Sequence, residues 1–402
     1  MAIIKPFKAW RPTQEFIQEV ACVPYDVIDT GEARELAQGK PNSFLHVIRP
    51  EIDLPEETDI HAPEVYAKGK ERLDFLFNSG FFVQESQDSL YIYRLIRNGI
   101  PQTGIFSCVS VADYDHEIIL KHELTRPDKE NDRTKHIITQ RAHAEPVMMT
   151  FKDSAGIGAL MENEIQNLPL FDFVADDGVK HTIWNIKNTT NYVLAFRNIG
   201  HLYIADGHHR CASAARAAHE YESHNPHHTG EEEYNFFPAV LFPMDQMNIL
   251  SYNRIIYSVP ENFLDLLSSD FGLKKNVNPN PIKKGTISFY LDGCWYGLEL
   301  PGSQKQDPAS NLDVSRLQEF ILEPILGITD QRKDKNINFV GGIRGTSELE
   351  KLVNSGIARL AISMYPTGIE ELVEVSDAGL LMPPKSTWFE PKLRSGLLVH
   401  SF

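Results

Sequence analysis

The stretch YIADGHHRCA at residues 203–212 carries the strongest structural signal in the chain. An apolar run ends at Asp206, Gly207 permits a tight turn, and the alanine-rich sequence from Arg210 onward is typical of a helix. A helix that begins directly after a strand leaves unpaired backbone N–H groups and a positive dipole end at the turn. The stretch therefore predicts an anion-binding turn between a strand and a helix.

The side chains of this turn suit a phosphate group. His208, His209 and Arg210 follow the glycine, and the planar arginine fork matches phosphate oxygens. Asp206 would coordinate Mg²⁺ or deprotonate a hydroxyl group. The competing interpretation is that Asp206 only caps the helix and that the histidines lie on the surface.

Two further charged segments offer phosphate or metal contacts. The first runs from KHELT (121–125) to KENDR (129–133); its cations would hold phosphates, and its carboxylates would act as a general base or a metal ligand. The second is KST (385–387) with Lys392 and Arg394, in which lysines beside hydroxyls would clamp an anion. The alternatives are a solvated charged face and a basic tail that docks onto an acidic body. PYD (24–26) is either a further acidic site or a turn.

Histidine is concentrated near the same turn, because seven of the 15 histidines lie between His201 and His228. His224, His227 and His228 lie in a polar loop with neither a partner cysteine nor H-x-x-x-H spacing. A surface loop is therefore favoured over a transition-metal site.

Composition and motifs exclude several classes of protein. The 402 residues are 42% hydrophobic and 23% charged, which is typical of a globular protein. Lys and Arg number 39 against 55 Asp and Glu, so the net charge of −16 disfavours nucleic acid as a partner. The four cysteines form no C-x-x-C pair. Walker A, G-x-S-x-G and H-E-x-x-H motifs are absent. No signal peptide or membrane span is evident, which predicts a cytoplasmic protein.

The order of the predicted elements suggests two domains, 1–258 and 259–402, the second an α/β subdomain ending in a basic loop. Asn98-Gly99 and Asp292-Gly293 predict two β-hairpins. SFLHVI (43–48) is expected to form a strand. Ser347 and Thr367 are expected to begin capped helices.

The motifs together resemble the family of bacterial and archaeal proteins called domain of unknown function 1015. The resemblance spans the full length. It is carried by PYDVI (24–28), SFLHVIRPE (43–51), the KHELT…K…DR pattern (121–133), YIADGHHR (203–210), the Pro366-Thr367 helix start and MPPKSTWFEPKLRSGL (382–397).

More distantly, the turn at 207–210 is similar to the phosphate-binding turn of the ParB and sulfiredoxin superfamily, which includes nucleotide-dependent free serine kinases. This resemblance implies that Gly207, His209 and Arg210 hold nucleotide phosphates, with Asp206 next to the transferred group. The chain has no evident helix-turn-helix and is strongly acidic, so a ParB-like role in chromosome partitioning is not expected. His208 stands where sulfiredoxin has a cysteine, so repair of sulfinic acids is not expected either.

The resemblance implies an α/β (α+β) fold with a ParB/sulfiredoxin-like nucleotide-binding core, a mixed sheet and a C-terminal α/β subdomain. The expected activity is ATP- or ADP-dependent phosphotransfer to a small hydroxyl metabolite, with free serine first, Mg²⁺ as cofactor and a homodimer as one expected assembly. The alternatives are a nucleotide-binding switch and a phosphatase acting on phosphoserine. The expected catalytic residues are Asp206, Glu123 and His208, and the metal ligands Asp206 and Asp132. The expected phosphate contacts are Gly207, His209, Arg210, Lys121, Arg133, Lys385 and Ser386.

Overall fold

The computed structural model describes residues 1–402 and divides them into two compact units. Residues 1–247 and 391–402 form the first unit, and residues 248–390 form the second. The last twelve residues thus rejoin the unit in which the chain began. The division into domains at 258 and 259 stays a prediction.

The first unit is a mixed α/β structure. Its helices are α1 (Ile17–Val20), α2 (Thr30–Ala37), α3 (Leu45–Ile48), α4 (Pro63–Asn78), α5 (Val111–Asp115), α6 (Pro127–Gln140), α7 (Ile157–Glu164), α8 (Thr190–Phe196) and α9 (His208–His224). Its strands are β1 (Ile4–Lys5), β2 (Trp10–Pro12), β3 (Phe82–Gln84), β4 (Leu90–Arg97), β5 (Ile100–Ser110), β6 (Ile119–Leu120), β7 (Ala142–His143), β8 (Val147–Phe151), β9 (Phe171–Val174), β10 (Lys180–Ile186), β11 (Leu202–Asp206), β12 (Phe236–Pro243) and β21 (His400–Ser401).

A nine-stranded mixed sheet organises this unit. The strand order is β6-β11-β8-β12-β5-β4-β10-β9, and β1 pairs with β5. Only β6–β11 and β8–β12 are parallel pairs, and the remaining pairs are antiparallel. The C-terminal β21 pairs with β7 outside this sheet. The structure confirms the predicted mixed sheet.

The sequence pattern of α9 explains how this helix packs. Cys211, Ala214 and Ala218 are buried and share a hydrophobic core with Leu202 and Ile204 of β11. Small side chains let the helix lie close to the sheet that precedes it. This packing fixes the start of α9 at the end of β11.

The second unit is built on a six-stranded antiparallel sheet. The strands are β13 (Ile249–Leu250), β14 (Tyr252–Ile256), β15 (Lys274–Lys275), β16 (Thr286–Leu291), β17 (Cys294–Glu299), β18 (Ile337–Gly341), β19 (Leu360–Met364) and β20 (Trp388–Phe389). The strand order in the sheet is β15-β17-β16-β19-β14-β18, and β13 pairs with β20 outside it. The helices are α10 (Phe263–Phe271), α11 (Asp313–Leu317), α12 (Gly345–Asn354) and α13 (Ile369–Asp377), and a π-helix spans Gln318–Leu322.

Turn chemistry predicted the two hairpins correctly. Asn98 and Gly99 have φ of 51° and 79°, and Asp292 and Gly293 have 50° and 75°. Positive φ at both central residues is the geometry that Asn-Gly and Asp-Gly favour in a two-residue hairpin. Both hairpin predictions are therefore confirmed.

Three local predictions were wrong. Residues 45–48 of the expected strand SFLHVI form α3, whose apolar side chains belong to a second hydrophobic core; a short apolar run does not distinguish a strand from a buried helix. Helix α12 begins at Gly345, two residues before the expected cap at Ser347. The N-cap of helix α13 is Gly368, whose N–H donates to Glu371 at 2.8 Å, and not Thr367.

None of the helices combines the length and the apolar character needed to cross a membrane.

Candidate functional site

Two parallel strands bring two helix starts to one edge of the large sheet. β6 and β11 pair in parallel, with Ile119 opposite Leu202 and Leu120 opposite Tyr203. Each strand is followed along the chain by a helix, α6 after β6 and α9 after β11. The carboxyl ends of parallel strands in an α/β sheet form a common place for ligands.

The helices α6 and α9 lie side by side and run in the same direction. The N–H of Arg126 donates to Nε2 of His209 at 3.0 Å. One turn further along, the Ser213 hydroxyl donates to the carbonyl of Glu130 at 3.2 Å. Two turns beyond that, the Tyr221 hydroxyl donates to the carbonyl of Ile138 at 3.1 Å.

Parallel packing therefore places the N-termini of α6 and α9 together. No side chain caps either N-terminus. At α6 the first residue, Pro127, has no N–H, and the first-turn acids Asp128 and Glu130 already offset the positive dipole end. The uncapped N–H groups that favour an anion at this place are therefore those that open α9.

Gly207 forms the turn that opens α9. Its φ is 106°, in the region that favours glycine. A Cβ atom at this position would lie 3.1 Å from Nε and Cζ of Arg210. Glycine is therefore required both for the backbone conformation and for the close approach of the guanidinium group.

Asp206 is held by two cations. Nη2 of Arg210 lies 2.9 Å from its Oδ2, and Nζ of Lys392 donates to its Oδ1 at 3.1 Å. Burial alone would raise the pKa of Asp206, but the Lys392 ammonium and the Arg210 guanidinium hold it well below its ordinary value. Asp206 is thus a paired carboxylate and a weak proton acceptor.

Arg210 is buried in an acidic and carbonyl-rich environment. It donates to Asp206 and to the carbonyl of Pro146, and its Nη2 lies 3.7 Å from Oδ2 of Asp26. The pKa of Arg210 is raised: burial opposes the charge, but Asp26, Asp206 and Glu145 more than offset that effect. Its two terminal nitrogens donate to protein groups, whereas its Nε is buried without a hydrogen-bond partner.

Glu145 is a site residue that the sequence analysis missed. Its Oε1 accepts the N–H of Tyr25 at 3.0 Å and the Ser395 hydroxyl at 3.2 Å, and its Oε2 lies 4.0 Å from Nη1 of Arg133. Burial raises the pKa of Glu145, and the charges of Arg210 and Arg133 oppose this rise. Neither spacing nor a motif marks this residue in the sequence; its position just before β8 was the only available signal.

Asp132 and Arg133 pair with each other at 2.6 Å. Asp132 also accepts the Tyr66 hydroxyl at 3.1 Å and lies 3.1 Å from Nδ1 of His61. Burial opposes ionisation of Asp132, but Arg133 and the other partners lower its pKa to about 2. Both residues are buried, whereas Lys121 and Arg126 of the same segment are exposed, so only part of the segment is a solvated charged face.

The structure brings no group of three or more histidine, cysteine, aspartate or glutamate side chains into a geometry that would hold a metal ion. Asp206 and Asp132 are each paired with a cation. The predicted metal role of these two carboxylates stays a prediction.

The histidines of the turn are neutral. Nε2 of His208 accepts the N–H of His122 at 3.4 Å, and the two rings meet edge to face with centroids 4.4 Å apart. Burial and the neighbouring His122 lower the pKa of His208 well below its ordinary value, and burial also lowers the pKa of His209. Contact with a phosphate would therefore be a hydrogen bond from a neutral imidazole.

The remaining predicted site residues lie in other segments of the chain. Lys121 is exposed and lies over the ring of Tyr114 at 5.7 Å, and Glu123 lies in the loop between β6 and α6. Lys385 and Ser386 belong to the second unit. Their proposed roles stay predictions.

The C-terminal segment docks onto the first unit, as one interpretation of the basic tail had it. Lys392 pairs with Asp206, and Nη2 of Arg394 lies 2.6 Å from Oδ2 of Asp177. Both pairs lie within the first unit. Lys392 thereby joins the predicted anion turn.

The cluster has no excess of positive charge before any ligand binds. It contains four carboxylates, on Asp26, Asp132, Glu145 and Asp206, and three cations, on Arg133, Arg210 and Lys392. Attraction for an anion would therefore have to come from the helix N-terminus beside the cluster.

The fold and the site define a mixed α/β protein with paired helix N-termini at the end of two parallel strands. Its family follows from the sequence, because the model of the family described as "Protein of unknown function (DUF1015)" matches residues 4–315. The chain belongs to this family. The MPPKSTWFEPKLRSGL motif lies beyond the matched residues.

Several solved structures are similar to the chain at low identity. A free serine kinase in complex with AMP has a TM-score of 0.36 at 11% identity, covering 71% of this chain and 86% of that chain. A conserved hypothetical protein from Pyrococcus furiosus has a TM-score of 0.37 at 12% identity, covering 72% and 93%. SbnI with a C-terminal truncation, from Staphylococcus aureus, has a TM-score of 0.37 at 11% identity, covering 73% of this chain and 86% of that chain. No curated protein sequence matches the chain.

Proposed function

We propose that this protein is a nucleotide-dependent phosphotransferase that acts on a small hydroxyl metabolite, with free serine as the first candidate. One observation carries the proposal: the uncapped N-termini of α6 and α9 lie together beside Asp26, Asp206 and Lys392. Phosphoryl transfer depends mainly on positioning and on neutralising phosphate charge. The N-terminus of α9 and a nearby lysine meet both needs.

The proposed phosphate contacts are backbone and side-chain donors at this edge of the sheet. The N–H groups of Gly207, His208 and His209 and the ammonium of Lys392 come first, with Lys121 as an outer cation. Arg210 and Arg133 act mainly by holding the carboxylates in place, because their partners are protein groups. ATP or ADP is the proposed nucleotide.

The acceptor hydroxyl needs a carboxylate that is accessible and not already neutralised. Asp206 is a poor choice, because two cations hold it and lower its pKa. Asp26 is a better one: its side chain is 35% exposed, and its closest ion-pair distance, to Arg210, is 3.7 Å. We therefore assign the proton-accepting role to Asp26, with Glu123 as the second candidate and Asp206 as an orienting group.

The test measures binding of ATP and ADP by calorimetry and transfer of labelled phosphate to serine, for the wild type and for Asp26→Asn. The expected result is unchanged nucleotide affinity with transfer lowered about 10²–10⁴-fold, the usual contribution of a general base. Asp245→Asn, at an exposed acid of the same unit, is the control and should keep full transfer.

Other outcomes would identify other functions. Nucleotide binding without transfer to any hydroxyl compound would replace the kinase by a nucleotide-binding switch. Phosphate release from phosphoserine without nucleotide would replace it by a phosphatase. Absence of nucleotide and phosphoserine binding would refute the assignment of the helix N-termini as a phosphate site.

A further inference from the structure

The second unit contains a fully buried arginine without a carboxylate partner. Arg254 on β14 has no exposed surface. Its Nη2 donates to the carbonyl of Lys385 at 3.2 Å and its Nη1 to the carbonyl of Tyr252, while its Nε is buried without a hydrogen-bond partner. Its guanidinium lies 5.4 Å from the ring centroid of Phe339.

All of these partners are neutral, so the charge of Arg254 is uncompensated. Burial lowers the pKa of Arg254 to about 10, and it therefore remains protonated at neutral pH. A buried cation without a counter-charge is costly, and the cost falls when an anion binds nearby.

Arg254 fixes one loop, residues 383–388, together with two hydroxyl groups. Besides the bond to the Lys385 carbonyl, the Thr367 hydroxyl donates to the carbonyl of Ser386 at 3.0 Å, and the Ser386 hydroxyl donates to the carbonyl of Pro383 at 2.7 Å. Three carbonyls of the loop are thus held by buried or partly buried side chains. The loop is built into the second unit and is not a loose connection.

Lys385 has an unfavourable backbone conformation. Its φ is 57°, the left-handed region that a lysine rarely adopts. Backbone strain of this kind persists only where the surroundings enforce it, and it is concentrated at ligand sites. The carbonyl of this strained residue is the one that accepts a hydrogen bond from Arg254.

The Lys385 side chain lies beside a residue that Arg254 also contacts. Lys385 is exposed, and its Nζ lies 5.3 Å from the ring centroid of Tyr252. Arg254 donates to the carbonyl of the same tyrosine. Tyr252 therefore contacts both cations, one through its ring and the other through its carbonyl.

We propose that the loop at residues 383–388 is a binding site for a phosphate-type anion, with Lys385 as the direct contact and the buried Arg254 as the positioning residue. Thr387, which is partly exposed on the same loop, supplies a hydroxyl donor. The proposal rests on the proposed function in taking the anion to be a phosphoryl group. It assigns a role to Arg254, which no sequence motif marked.

The test is calorimetric titration of the full-length protein with inorganic pyrophosphate, without nucleotide. A charged hydrogen bond contributes about 1.5–3 kcal/mol, so Lys385→Ala should raise the Kd about tenfold or more. Lys351→Ala is the matched control, because Lys351 is an exposed lysine of the same unit that pairs only with Glu348 at 3.5 Å. It should change the Kd less than about twofold, as expected for a surface charge.

Arg254→Gln and Arg254→Lys separate positioning from simple stability. Both variants disturb the packing of a buried side chain, but only Arg254→Gln removes the charge. We expect the Kd for pyrophosphate to rise more for Arg254→Gln than for Arg254→Lys at equal thermal stability. Equal Kd values for the two variants would reduce Arg254 to a structural residue and overturn its assignment.

The anion site fails if pyrophosphate does not bind, or if it binds equally well to wild type and Lys385→Ala. The latter result would leave the proposed phosphotransferase intact, because nucleotide would then depend on the first unit alone. Conversely, weakened pyrophosphate binding by Lys385→Ala without phosphate transfer to serine would support the loop and refute the proposed reaction.

Discussion

Lys392 reaches back across 186 positions of sequence to donate a hydrogen bond to Asp206 at 3.1 Å. Lys392 belongs to the C-terminal segment that rejoins the first unit, and Asp206 ends the strand before the glycine turn. The side chains of Lys392 and Asp206 are only 13% and 25% exposed. This pair connects the last part of the chain to the predicted anion turn.

The first prediction concerns this ion pair. Lys392→Met leaves Asp206 with one cation in a largely buried position, and removal of one partner of such a pair costs about 3–5 kcal/mol when it is fully buried. We expect a loss of about 2–4 kcal/mol here, since both side chains keep some exposure. Urea unfolding measures it, and the double variant Lys392→Met/Asp206→Asn should recover part of the loss. A loss below about 1 kcal/mol would mean that the pair behaves as a surface salt bridge.

The second prediction is a dependence of stability on pH that comes from His122 and His208. Burial lowers the pKa of His122 to about 4 and that of His208 well below its ordinary value, whereas unfolded histidine titrates near pH 6.5. The unfolded state therefore binds protons first. Stability should be greatest above about pH 6.5 and fall by about 1 kcal/mol per pH unit for each histidine as the pH drops toward 4.

The matched variants for this effect are His122→Gln and His224→Gln. His224 lies in the exposed last turn of α9. The difference in the free energy of unfolding between pH 7 and pH 5 should shrink in His122→Gln and stay unchanged in His224→Gln. An equal difference in wild type and His122→Gln would contradict a buried neutral histidine at position 122.

The third prediction tests the glycine turn. Gly207→Ala introduces a Cβ atom 3.1 Å from the Arg210 guanidinium at a φ of 106°. We expect a loss of about 1–3 kcal/mol from the backbone strain and displacement of Arg210. Gly200→Ala is the control, because no atom lies within 4 Å of the added Cβ and φ is not positive there. Thermal unfolding measures the stability of both variants. Similar melting temperatures would contradict the requirement for glycine at position 207.

The fourth prediction compares the stability of two arginine variants on α9. Arg210→Met leaves Asp206 with Lys392 alone and Glu145 with Arg133 alone, so we expect a loss of about 3–5 kcal/mol from the weakened buried pairs. Arg216→Met, on the exposed side of the same helix, should cost less than about 1 kcal/mol. Denaturant unfolding compares the two. If Arg210→Met kept wild-type stability but bound nucleotide more weakly, the weaker binding would indicate direct contact between Arg210 and the phosphate.

Local chemistry explains which features the sequence predicted. The strand before Asp206, the turn at Gly207 and the helix after it depend on neighbouring residues, and the structure has them as expected. In contrast, Glu145 acquires its role from Tyr25 and Ser395, 120 and 250 positions away, and no sequence pattern encodes those contacts.

Long-range packing also explains the errors. The run at 45–48 is apolar enough for a strand, but it became a helix because its side chains fill a core made with α4 and the C-terminal Val399. Thr367 was expected to cap α13, yet its hydroxyl holds the carbonyl of Ser386. In each case a distant partner outweighed the local preference.

The return of residues 391–402 to the first unit has a consequence for biosynthesis. The second unit is an insertion between residues 247 and 391 of the first. A ribosome must therefore synthesise the whole insertion before Lys392 and Ser395 are available to Asp206 and Glu145. The second unit is complete in sequence at residue 390, before the two residues that complete the charged cluster of the first unit have been synthesised.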